Sequence, residues 1–324
     1  LSLGGFNYFC PEILTTIIHK LENNYSYHKP VMLTECIREL NINPEGIYVD
    51  VTFGGGGHSR EILSHLTTGK LFAFDQDEDA KKETQRIESP NFTFIEANFR
   101  FLEKYLRLHG VRKVDGILAD LGISSYQIDT AERGFSTRFD AELDMRMNQQ
   151  SSFTARKLVN TYSPEDLHKV LGQYGEIRNA RTAALAIVAA RSTAEIITIN
   201  DLKSILQKLL PRGKESKYLA QVFQALRIEV NEEMRALEDF LRDTPNVLNP
   251  EGRLVVMSYH SLEDRLVKNF FRSGKFRGDA DKDFYGNDLK PLKALTRKPI
   301  EASAEEVKLN PRARSAKLRV ATLN

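Results

Sequence analysis

The sequence contains no tryptophan, only two cysteines and no apolar run long enough to span a membrane. Cys10 and Cys36 have no metal-ligand spacing, so neither a disulfide framework nor a metal site is expected. Such cysteine usage suits a reducing compartment, and a cytoplasmic location is the expectation. Charge of one sign is also scarce, with a formal net charge of +2 over 324 residues. Its placement is uneven, because residues 290–319 hold nine Lys/Arg against three Glu. Residues 1–27 lack arginine and carry Pro11, Glu12 and Glu22, which argues against a signal or transit peptide. We treat them as an N-terminal appendage with a short helix over 13–21.

Two nucleotide-binding signatures are missing as well. Four consecutive glycines, Gly54 to Gly57, follow a strand in which Ile47, Val49 and Val51 alternate with other residues. The dinucleotide fingerprint fails in either register, because Ser59 or Arg60 stands where its third glycine belongs. No Gly-Lys-Ser/Thr closes a P-loop. What is present is a strand, a glycine turn and a helix opening at 60–66. That puts bare backbone and a helix N-terminus at a strand's carboxyl end, where open α/β sheets bind ligands. Glycines there let a ligand approach the backbone closely. Asp50 precedes the turn, and Asp75 closes the next strand, 71–74. An acid at the second position suits the two hydroxyls of a ribose, and Asp50 suits an ammonium. A nucleoside carrying both an ammonium and a sulfonium is S-adenosylmethionine. The alternative is a tight turn that serves the fold alone.

Further apolar runs at 92–95 and 114–119 alternate with helices at 77–87 and 101–109. This rhythm predicts an α/β fold with a mostly parallel sheet covered on both faces. Thr34 is the expected cap of a helix before the glycine strand. Phe99 is either core or a platform for a cofactor's base, and Asp120 ends the fourth strand. The rhythm stops after Gln127. Residues 131–149 read as loop, and helices follow without strands. One starts at Ser163-Pro164, another is alanine-rich over 180–190, and a third places Leu202, Ile205, Leu206 and Leu209 on one face. A long helix over 217–242, a fifth strand at 252–257 and a final edge strand at 317–321 complete the pattern. His260 beside Ser261 hints at a hydrolase, but no nucleophile elbow is present. Ser261 with Asp264 is instead expected to cap a helix, leaving His260 at a strand end.

The motifs HKPVMLTE (28–35), DVTFGGGGHS (50–59), DLGISS (120–125), RGFS (133–136), LDMRM (143–147), HSLEDR (260–265) and NPRARS (310–315) occur in that order. Together they closely resemble the RsmH/MraW family, bacterial methyltransferases with mitochondrial relatives. These act on the exocyclic N4 amine of a cytidine in small-subunit (16S) ribosomal RNA. The resemblance runs from about 28 to 320. It implies a Rossmann-like methyltransferase sheet, residues 28–130 and 215–324, interrupted by an all-helical substrate-recognition domain at 131–214. It implies cofactor contacts at Gly56, Gly57, His58, Asp75, Phe99, Asp120 and Gln127, the cofactor being S-adenosylmethionine. Of these, Gly56, Gly57 and Asp75 also follow from the spacing.

For catalysis, Asp120 is the expected acceptor of a hydrogen bond from the amine, with Ser124 or Ser125 behind it. Arg133, Arg146, His260, Arg312 and Arg314 are candidate contacts to substrate RNA, within an assembled or nearly assembled small ribosomal subunit. Two rivals differ in class. A nicotinamide oxidoreductase lacks its fingerprint here, and a non-catalytic RNA-binding assembly factor would use the basic tail alone.

Overall fold

The computed structural model describes residues 30–323; Cys10, His28, Lys29 and the helix expected over 13–21 lie outside them. Strands β1 (Ile47–Asp50), β2 (Lys70–Asp75), β3 (Phe92–Glu96), β4 (Val114–Asp120) and β5 (Leu248–Ser258) run parallel in the order β3-β2-β1-β4-β5. A separate two-stranded hairpin, β6 (Asp281–Lys282) and β7 (Asp288–Leu289), precedes the short strands β8 (Leu292–Ala294) and β9 (Ile300–Glu301). Strand β10 (Lys317–Leu323) runs antiparallel to β5, and both β8 and β9 pair antiparallel with its other side.

Period-two side chains divide between the sheet's two faces. Val49, Ile117, Leu254 and Val256 enter one core, against Leu102, Leu106, Leu237 and Phe240 from helices α4 (Leu102–Leu108) and α11 (Glu233–Val247). Tyr48, Leu118, Val255 and Met257 enter the other, against Cys36, Leu40 and Ile62 from α1 (Leu33–Leu40) and α2 (Gly57–Ser64). Burial on both faces is why these strands are apolar without alternation. Full burial of one such side chain, Phe240 for example, contributes roughly 1.5–3 kcal/mol. The parallel sheet fixes the carboxyl ends of β1 to β4 along one rim, and the short α3 (Glu78–Glu83) and α5 (Ser125–Asp129) follow β2 and β4 there.

A third core belongs to α6 (Ala155–Thr161), α7 (Pro164–Gln173), α8 (Ala180–Arg191), α9 (Ile199–Leu206) and α10 (Glu215–Val230). Ser163 caps α7 by accepting from the Asp166 N–H, with Pro164 at the first position. Leu202 and Leu206 are fully buried in this core.

Four local expectations are corrected. The helix expected over 217–242 is two helices, broken at Asn231 and Glu232, the latter with φ +49°. Asn231 fixes the break: its side chain accepts from the Met147 N–H at 2.7 Å and donates to the Met145 carbonyl at 2.8 Å. As a result α10 gives Tyr218, Val222 and Leu226 to the helical core, and only α11 packs on the sheet. Thr34 caps nothing, because Met32 enters α1 in a left-handed conformation without a side-chain cap. The cap of α12 (Ser261–Ser273) is His260 rather than Ser261, in a box with Glu263. Asp264 instead accepts from Arg319 Nε at 2.7 Å. Finally, β10 is not an edge, since β8 and β9 cover its free side; two or three residues are too few to show a strand's period. Among the described residues, no helix is long and apolar enough to cross a membrane.

Candidate active site

The rim formed by the ends of β1 to β4 holds three buried or half-buried carboxylates. Asp50 is 1% exposed and accepts from Ser59 Oγ at 2.7 Å and the Thr52 N–H at 3.1 Å. It therefore braces β1 against α2 and is not turned out to meet an ammonium. Asp75 accepts from the Gly54 N–H at 2.8 Å through one oxygen and from the Asp77 N–H at 2.9 Å through the other. Each oxygen keeps a lone pair for a further donor. Burial pushes the Asp75 carboxyl up to about 6.

Asp120 ends β4. Its Oδ1 accepts from the Tyr259 hydroxyl at 2.7 Å, while its Oδ2 lies 3.7 Å from His58 Nδ1, too far for a hydrogen bond. Burial raises this carboxyl to about 6, against the opposing pull of His58 and the Tyr259 bond. Burial and the adjacent Asp120 charge likewise push the Tyr259 phenol well up, so it remains a donor at neutral pH. His58 is itself buried, with Nε2 3.1 Å from the Val31 carbonyl.

The glycine turn is compact for a reason other than the one expected. A Cβ on Gly56 (φ +71°) would sit 2.7 Å from the Phe53 ring, and one on Gly57 would sit 2.2 Å from Pro30 Cγ. The space at these two positions is filled by the protein itself. Gly56→Val is thus expected to lose about 2 kcal/mol or more of stability, from backbone strain and displacement of Phe53. A melting temperature equal to wild type would contradict that. The first-turn N–H groups of α2 have no intrahelical acceptors and remain suited to an anionic group.

A narrow cleft, open to solvent, runs along the rim. Its sheet side is lined by Thr52, Gln76, Asn98, Phe99, Leu121 and Gly122, so the residues following Asp75 and Asp120 form its wall. Phe99 is half-buried and meets Phe240 edge-on at 5.5 Å. The opposite side comes from the flanks of the helical insertion, with Met147, Asn231, Glu233 and Met234. Gln127 is buried beneath, its Nε2 donating to Asp77 at 2.6 Å and its Oε1 accepting from the Ser124 N–H. Glu233, His260 and Glu263 bring ligand-type atoms within 4.8 Å of one another. Arg227 already neutralises Glu233 through two bonds, at 2.8 and 2.9 Å, and Glu263 caps α12. Glu233 and Glu263 thus line the cleft with their charges already engaged.

A model of the MraW methylase family matches residues 25–324. The chain belongs to that family. Among curated relatives, "Ribosomal RNA small subunit methyltransferase H" of Cytophaga hutchinsonii is 61% identical over 295 residues, covering 91% of this chain and 99% of that protein. Its namesake in Flavobacterium johnsoniae is 54% identical over 296 residues, covering 91% and 97%. The solved structure of TrmN from Thermus thermophilus is more distant, 13% identical with a TM-score of 0.41 over 90% of this chain and 48% of that one.

For a MraW methylase, several residues expected at the RNA are engaged by partners within the protein. Arg133 is 6% exposed and clamps Asp77 with both terminal nitrogens, at 3.1 and 2.8 Å, while also reaching Asp79 at 2.7 Å. It ties the insertion to the sheet. Arg146 is engaged by Asp144 and by the carbonyls of Gln149 and Ser151. His260 is a half-buried cap whose buried Nε2 lies 3.1 Å from Glu263 without hydrogen-bond geometry. Arg312 is paired with Asp129 at 2.9 Å and bonded to Ser125 Oγ. Only Arg314 is exposed. Ser124 and Ser125 are likewise structural, the first as the cap of α5 and the second as a partner of Arg312. Removing Arg133 should leave the buried Asp77 charge without its cation, so Arg133→Ala is expected to cost about 3–5 kcal/mol of stability. A denaturant titration checks it; unchanged stability with a flatter salt dependence of RNA binding would restore Arg133 to the RNA.

Tyr259 escaped the sequence reading although it lies one residue past β5, where the logic that singled out Asp120 applies equally. Asn231 carried no signal, and Met147 only as the end of the LDMRM motif, because only the tertiary fold brings the insertion's two flanks to the cleft.

Proposed function

We propose that the protein transfers a methyl group from S-adenosylmethionine to the exocyclic N4 amine of a cytidine in small-subunit ribosomal RNA, giving N4-methylcytidine. The observation that carries this reading is Asp120, a half-buried carboxylate at the rim with one oxygen held by Tyr259 and the other left for a new donor. The residues present fit the cofactor. Asp75 has lone pairs for two ribose hydroxyls, Phe99 offers an apolar face to the base, and Gly56, Gly57 and His58 put the start of α2 beside them. Gln127 holds Asp77, which in turn donates to Asp75.

The amine of cytosine is a weak nucleophile because its lone pair is delocalised into the ring. Bound S-adenosylmethionine supplies a methyl group already activated on a sulfonium. The protein's task is alignment and proton handling. Asp120 Oδ2 accepts a hydrogen bond from the amine, which draws the nitrogen toward a nucleophilic geometry and eases loss of its proton. Tyr259 fixes the carboxylate for that role. A base inside folded RNA must be splayed out to reach it. The helical insertion, residues 131–214 extended by α10, holds the surrounding RNA, with Arg314 on the tail as a phosphate contact. An assembled or nearly assembled small subunit is the substrate. The test is to treat small subunits lacking the modification with labelled cofactor and analyse the digested nucleosides by mass spectrometry. N4-methylcytidine is expected; label on another nucleoside, or none, would overturn the reading.

A further inference from the structure

Glu263 is a carboxylate only 2% exposed, set in the wall of the cleft. One of its oxygens accepts from the Tyr259 N–H at 2.9 Å and from the His260 N–H at 3.3 Å. The other lies 3.1 Å from His260 Nε2. The two N–H groups it holds belong to the turn between β5 and α12. That turn aims the Tyr259 hydroxyl at Asp120 Oδ1, 2.7 Å away. A line of contacts thus runs from the start of α12 to the rim. Glu263 fixes the backbone of Tyr259, and Tyr259 fixes the carboxylate that faces the amine.

The fold alone does not require a charge at this position. Glutamine serves a capping box as well as glutamate does, and a charge withdrawn from water is costly unless it is paired. Arg227, the cation beside Glu263, already meets Glu233 through two bonds. The dipole of α12 favours an acid in its first turn, but Asp264 supplies one there as well. Burial pushes the Glu263 carboxyl up, yet His260 and Arg227 outweigh it and hold the group below the ordinary glutamate range. Glu263 is therefore ionised at neutral pH. The titratable groups around Asp120 are His58 from α2, Tyr259, Asp50 from β1, Cys36 from α1 and Glu263 from α12. Beyond burial, His58 and Tyr259 favour the ionised form of Asp120, while Asp50 and Glu263 oppose it. Of these, Glu263 is the group that both braces Tyr259 and sets negative charge against Asp120.

We infer that Glu263 is a positioning residue for methyl transfer: it holds the turn from which Tyr259 reaches Asp120, and its negative charge keeps Asp120 a good acceptor for the amine's proton. This rests on the RNA-methylation reading above and adds a residue to it. The test is Glu263→Gln, whose amide oxygen still accepts from the Tyr259 and His260 N–H groups while the charge is gone. Melting temperature and S-adenosylmethionine affinity should stay at wild-type values. A negative neighbour disfavours ionisation of Asp120, so its removal lets Asp120 ionise at lower pH. The acid limb of the kcat profile should therefore move down, and loss of the Tyr259 bond would move it the other way. The plateau of kcat should fall about threefold or more, because a weaker base draws less on the amine. A carbon-13 NMR titration of the Asp120 carboxyl, which needs neither RNA nor cofactor, should show its midpoint displaced in the same direction. Glu263→Asp keeps the charge and should keep the limb near its wild-type place. A glutamine variant with limb and midpoint unmoved would overturn the inference. So would an aspartate variant displaced as far as the glutamine one, or a glutamine variant that does not fold, since the charge would then serve the fold. If the wild-type protein transfers no methyl group to subunits, the functional reading fails. If it does and the midpoint stays in place in Glu263→Gln, only the role of Glu263 fails.

Discussion

Asp120→Asn should lower methyl transfer by about two to four orders of magnitude, the range over which a positioned proton acceptor acts, with little change in cofactor affinity. Asparagine keeps the size of the side chain and can still accept from Tyr259, so the loss would report the missing charge. The pH profile adds a sign that can be checked. Asp120 must be ionised to accept the amine proton, and burial has raised its carboxyl to about 6. Activity should be full above that value and fall as pH drops through it. Asp75 is raised to about 6 as well, so kcat/KM for the cofactor should fall more steeply than one proton allows. The Tyr259 bond pulls the Asp120 carboxyl down, so Tyr259→Phe should move the acid limb of kcat upward, toward neutral pH. A merely structural Tyr259 would leave that limb in place. Asp120→Asn with near-normal turnover would remove the carboxylate from the mechanism.

Free cytidine and ten-residue oligonucleotides should be essentially unreactive, at least a thousandfold below a small subunit lacking the modification. The helical insertion, with a core of its own, is far larger than one nucleotide requires. If its contacts splay out and aim one cytidine, removing remote RNA lowers turnover as well as affinity. Labelled methyl transfer to the oligonucleotide, to naked ribosomal RNA and to the subunit, run side by side, measures this. An oligonucleotide that turns over as fast as the subunit would leave the insertion without an aiming role.

Much of the rim was legible in the sequence because a parallel sheet collects strand ends on one side. Asp75 and Asp120 needed only that rule, and Tyr259 satisfied it unnoticed. The glycine run was legible as a turn but not in its cause, since nothing local shows that Phe53 and Pro30 fold back over Gly56 and Gly57. The arginines were hardest. Whether a guanidinium faces solvent depends on partners far along the chain: Asp77 and Asp79 for Arg133, and Asp129 for Arg312. In the basic segment 290–319, Arg312, Lys317 and Arg319 tie elements together, while Lys293, Arg297, Lys298, Lys308 and Arg314 are exposed. The break between α10 and α11 was hidden for the same reason, because Asn231 is held by a loop more than eighty residues earlier.

The central claim is that the rim between Asp75 and Asp120 is where methyl transfer occurs, and a crystal structure with S-adenosylmethionine tests it most directly. The ribose hydroxyls should lie on Asp75, the adenine beside Phe99, and the methyl group should face the open Oδ2 of Asp120. A cofactor bound elsewhere, or one whose methyl points away from Asp120, would contradict the account.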